Sequence, residues 1–113
     1  MMIVENKKNI YYEVDKPPVY KDGISDVLTF FARNVKPVPI SLSQNRIDLQ
    51  FIVSSDGKVY SGGIYNKKEL DYSPVEKEYL RALSTMPRWE AGKCGGKKVD
   101  VKMRLPILLE LNM

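Results

Sequence analysis

From Val99 to Leu111 every second residue is apolar: Val99, Val101, Met103, Leu105, Ile107, Leu109 and Leu111. A period of two places all seven on one face of an extended strand. The intervening residues, Lys98, Asp100, Lys102, Arg104, Pro106, Leu108 and Glu110, form the other face. One buried face and one wet face is the pattern of an antiparallel sheet covered on one side. Pro106 adds a second constraint. A proline has no N–H to give to a ladder, so a long strand that holds one belongs at a sheet edge. The pattern predicts a last strand over residues 97–111, with one side unpaired at Pro106.

The rest of the chain reads as elements built around that strand. Ile10 to Val14 is rich in strand formers and is stopped by Pro17-Pro18. The polar residues 1–9 are expected to be a frayed, flexible segment. Ile24, Val27, Leu28 and Phe31 fall on one stripe of a helix over residues 23–34, with Asp22 as its expected N-cap. Pro37 and Pro39 forbid its continuation. Arg46 to Val53 alternates as a strand, Asp56-Gly57 turns it, and Lys58 to Tyr65 returns with a bulge expected at Gly62-Gly63. Ser73-Pro74-Val75-Glu76 is a capping box with proline at the first helical position. Val75, Tyr79, Leu83 and Met86 make the inner stripe of that second helix, and Pro87 ends it. Trp89 is expected to plug the core at the following corner. Pro87, Trp89 and Gly92 thus mark a structural turn into the last strand. The order is (β)-α-β-β-α-β. That is an α+β domain over residues 10–113, with two helices on one face of a three- to four-stranded antiparallel sheet.

Composition removes most chemistry. Among the 113 residues there is no histidine and a single cysteine, Cys94. The commonest general base is missing, and so is any Cys/His metal set. The glycine- and lysine-rich run Gly92 to Lys97 precedes a strand rather than opening a helix, so it lacks the terminus that cradles phosphate. No enzyme activity, no cofactor and no metal is expected. No apolar run approaches the ~20 residues that cross a bilayer, so no direct membrane insertion is expected. The net charge is +4. Between Arg88 and Arg104, six basic residues face only Glu90 and Asp100, which accounts for the whole excess. An acidic partner, or simply a solvated surface, suits that end. A nucleic-acid module is disfavoured, because the strands alternate aliphatic and charged residues without stacking aromatics.

The motifs together resemble the C-terminal domain of the TonB family of energy transducers. The likeness covers about residues 10–113 and rests on several stretches. One is Val14 to Gly23 before the first helix. Others are Asn34-Val35-Lys36 at its end and Phe51 to Val59 around Asp56-Gly57. The strongest is Met86-Pro87-Arg88-Trp89 with Gly92-Lys93, followed by Gly96 to Val99 and Leu105-Pro106-Ile107. Pro37-Val38-Pro39 stands where the family has a Tyr-Pro pair. The resemblance implies a periplasmic, non-enzymatic protein-binding module. Its partner would be the TonB-box peptide of a TonB-dependent outer-membrane transporter, added as a strand to the last strand. The expected binding edge is Lys98, Val99, Asp100, Val101, Lys102, Met103, Arg104, Leu105, Pro106 and Ile107, with the basic residues facing an acidic segment. The same edge could instead pair with a second copy to give a homodimer or an adaptor.

Overall fold

The computed structural model describes residues 2–5, 8–38 and 44–109. Nine short elements follow one another: β1 (Met2–Glu5), β2 (Lys8–Tyr11), α1 (Ile24–Asn34), β3 (Arg46–Val53), β4 (Val59–Ile64), a 3-10 turn (Glu69–Asp71), α2 (Pro74–Ser84), β5 (Gly92–Cys94) and β6 (Lys97–Leu108). The fold is α+β. The sheet runs in the order β1-β2-β6-β3-β4, with β5 attached to β6. It is mixed rather than purely antiparallel, because β2 lies parallel to β6.

β3 is the spine. Its residues 47, 49, 51 and 53 are essentially without solvent exposure. They share one core with Val27 and Phe31 of α1 and with Val75, Ala82 and Leu83 of α2. Both helices therefore cover the same face of the sheet. β3 pairs with β6 over its full length, from Arg46 opposite Leu108 to Val53 opposite Val101. On its other side it pairs with β4. There the register steps from Ile52 opposite Tyr60 to Gln50 opposite Gly63, so β4 carries one extra residue. Ser61 takes a positive φ of 52° at that bulge, and the glycines beside it relieve the crowding.

α2 starts as its capping box demands. The Glu76 N–H donates to Ser73 Oγ at 3.2 Å, and the Ser73 N–H donates to Glu76 Oε1 at 2.7 Å. α1 starts differently. Its N-cap is Gly23, not Asp22, and no side chain caps it. Asp26 reaches back instead and accepts from the Asp22 N–H at 2.9 Å. The two helices are clasped at one end. Arg81 donates to both carboxylate oxygens of Glu78 at 2.8 and 2.7 Å and to the Asn34 carbonyl, while Glu78 also accepts from the Lys36 N–H at 2.6 Å.

Three further sequence expectations are corrected. The N-terminal residues were expected to fray, yet Met2–Glu5 and Lys8–Tyr11 form an antiparallel pair. The first strand ends at Tyr11 rather than Val14, and its last two residues, Ile10 and Tyr11, pair with β6. The apolar row of β6 is only partly buried: Val101 and Ile107 are buried, whereas Val99, Met103 and Leu105 are half-exposed. Leu111, Glu110, Pro39, Met1, Asn6 and Lys7, which entered the sequence reading, lie outside the described residues.

Candidate functional site

The open-edge expectation for the last strand fails where β2 pairs with it, at Asp100 and Val101. Lys97, Lys98 and Val99 pair with β5, and Asp100 and Val101 pair with Ile10 and Tyr11 of β2. Of these residues Val101 also pairs with β3, so β6 is held on both flanks there. Lys98, Val99, Asp100 and Val101 are therefore structural ladder residues. Asp100 has a further duty that alternation does not reveal. Its carboxylate accepts from the Ser55 N–H at 2.8 Å and from the Tyr60 hydroxyl at 2.6 Å, tying the β3–β4 turn to β6.

Beyond Val101 the two flanks differ, and main-chain parity shows how. The Tyr65 N–H donates to the Asp48 carbonyl at 2.8 Å, so the polar groups of Asp48 face β4. The Leu109 N–H donates to the Asn45 carbonyl at 2.8 Å, so that pair is bonded. In an antiparallel ladder, opposed pairs alternate between both bonds and none. The Asp48–Pro106 pair is then an unbonded one. Met103, Leu105 and Ile107 turn their main chain to β3. Arg104, Pro106 and Leu108 turn theirs to the opposite flank, where no described strand pairs with them. Pro106 sits where its missing N–H costs no bond in the sheet.

Beside that flank lies an apolar groove of about 190 Å³ between α1 and β6, lined by Val19, Ile24, Val27, Trp89, Met103 and Leu105, with Arg104 at its border. The guanidinium of Arg104 lies elsewhere, stacked 3.7 Å above the Tyr65 ring and 3.7 Å from Asp48 Oδ1. What Arg104 presents to the groove is thus its main chain and the root of its side chain. The stripe of α1 is split here. Val27 and Phe31 are buried as its period predicts, but Ile24 and Leu28 are 57% and 45% exposed. Val19 and Leu108 are also exposed. Sequence periodicity finds this stripe but cannot say that half of it stays uncovered.

The remaining marked residues are structural. Trp89 is buried, packs 5.5 Å from Tyr20 and 5.6 Å from Phe51, and donates its indole N–H to Met86 Sδ. Gly57 takes a φ of 86°, and its carbonyl accepts from the Trp89 N–H at 2.8 Å. Asp56 is exposed, accepts from Ser54 and has its carboxyl held below the usual range, first by that hydrogen bond. Gly92 lies against Val101 and Pro18, where a Cβ would find no room. Pro87 stands three residues after α2 has ended at Ser84. On the sheet face away from the helices, Ile52 is buried and Leu108 is exposed.

Among the described residues, no cluster of three or more Cys, Asp or Glu side chains could hold a metal ion. Nor is any helix there long and apolar enough to cross a membrane. Compared with models of known protein families and with curated proteins, the chain matches none.

Proposed function

We propose that this protein is a non-enzymatic peptide-binding module that takes up an extended segment as an added strand beside Arg104–Leu108. One observation carries the reading. The outward main-chain groups of Arg104, Pro106 and Leu108 meet no described strand, and an apolar groove runs alongside them. Main-chain bonds to such a flank supply affinity, and the neighbouring groove supplies choice. Exposed apolar residues gathered at one place mark interaction surfaces, and the exposed Val19 and Ile24 both line this groove. The resemblance to TonB C-terminal domains supports the same reading. It points to the TonB-box segment of an outer-membrane transporter as the guest and to the periplasm as the compartment. The site is shorter than alternation alone suggests, since β2 occupies that flank at Asp100 and Val101. Lys102 and Arg104 lean over Tyr12 and Tyr65, so their charges act across the reverse face rather than along the edge.

Titration of the isotope-labelled protein with TonB-box peptides tests this. Amide shifts are expected for Met103, Arg104, Leu105, Ile107, Leu108 and Ile24, with the β4 edge silent. Shifts confined to β4, or no response to any such peptide, would overturn the proposal. Concentration-dependent dimerisation that protects the same amides would assign the flank to a second copy instead.

A further inference from the structure

Resting on that strand-addition reading, we infer that the guest is recognised by one apolar side chain seated in the groove between the first turn of α1 and Met103–Leu105. Two residues set its frame. β2 fills the flank as far as Val101, and the chain then bends away at Tyr12. A guest must therefore lie along the remainder of β6. At ~3.3 Å per residue, the stretch from Met103 to Leu108 matches a segment of about five or six residues. Along it Arg104 offers an N–H and a carbonyl, Pro106 a carbonyl alone, and Leu108 both. The guest carbonyl that falls opposite Pro106 gains no bond, so main-chain pairing alone is weak there and side-chain capture must make up the difference.

The pleat decides which side chain is captured. Residues opposed across two strands point to the same face. A guest residue opposite Arg104 points to the reverse face, away from the groove. One opposite Met103 or Leu105 points to the helix face, into the groove. The wall there is Tyr20, Ile24, Val27, Phe51 and Trp89, with Pro18 at the rim. None of these aims an unpaired buried polar atom at the space, and no such atom occurs among the described residues. A polar or charged side chain would lose its water and find no partner. A leucine or phenylalanine gains apolar contact with these walls. The volume of about 190 Å³ admits one such side chain, not a row of them.

The test uses blocked heptapeptides of serine and threonine with one central variable residue: alanine, leucine, phenylalanine or aspartate. The leucine and phenylalanine peptides are expected to bind at least tenfold more tightly than the alanine peptide, with aspartate weakest and shifts at Ile24 and Met103–Leu108. Ile24→Asp supplies the second arm. Ile24 is the first residue of α1 and is exposed, and an acid in the first turn suits a helix N-terminus, so the variant is expected to fold. It should remove the advantage of the leucine peptide over the alanine peptide. Leu70→Asp, at a residue 97% exposed in the 3-10 turn, should alter neither. Equal affinity across the four peptides, with shifts still at Arg104–Leu108, would refute the anchor and leave strand addition standing. No shift at that flank with these or TonB-box peptides would refute both.

Discussion

Gly57 shows how a single residue joins two distant parts of the chain. Its φ of 86° is left-handed, which a glycine adopts freely. A Cβ there would also run into the carbonyl of Trp89, so the turn and the tryptophan corner must both give way. Gly57→Ala is expected to cost about 2 kcal/mol or more in urea unfolding. Gly95→Ala makes the control. Its φ of 59° is also left-handed, but a Cβ meets nothing within 4 Å, so a loss of only ~1 kcal/mol is expected. Equal losses would show that the close approach to Trp89 carries no weight. The Asp-Gly pair announces the turn in the sequence. The carbonyl that makes the glycine doubly necessary comes from Trp89, far along the chain, and leaves no local trace. Asp100 is illegible for the same reason, because its partners Ser55 and Tyr60 come from another hairpin.

At the scale of elements, the helices are joined by a titratable clasp. Arg81, and after it the Lys36 N–H, bring the Glu78 carboxyl from the ordinary 4.5 down to about 2. Between those values the unfolded chain binds a proton that the folded chain does not. The contribution of the clasp is complete above about pH 4.5, shrinks as the pH falls, and is gone below about pH 2. Wild-type protein should lose more stability between pH 6 and pH 3 than Glu78→Gln, as read from urea midpoints; parallel losses would rule the clasp out. The elements themselves were largely legible. β3 spans the residues that its alternation predicts, and the capping box of α2 is present bond for bond. Legibility fails where an element's fate depends on a remote neighbour. The four residues of β2 carry no sign that they will lie parallel to a strand some ninety residues later. Likewise the period of α1 cannot distinguish a stripe covered by the sheet from one covered only in part.

Across the whole molecule, β6 is both an interior strand and a boundary. At Val101 it is held on both flanks, by β2 and β3, whereas over Met103–Leu108 β3 is its one partner among the described strands. Hydrogen exchange should display this as a period of two. Amides of Met103, Leu105 and Ile107 are expected to exchange by global unfolding, together with those of Ile47, Leu49, Phe51 and Val53. Amides of Arg104 and Leu108 should exchange orders of magnitude faster. Uniform protection along Met103–Leu108 would mean that the far flank is occupied. This alternation rests on the same parity that locates Pro106, and Pro106 has a consequence for the protein at high concentration. A strand left open to visitors also invites endless stacking of its own kind into fibres. With an acceptor but no donor between Arg104 and Leu108, each incoming copy would forfeit a bond at the middle of the seam. Short visitors tolerate that gap, but a growing fibril would repeat it at every layer.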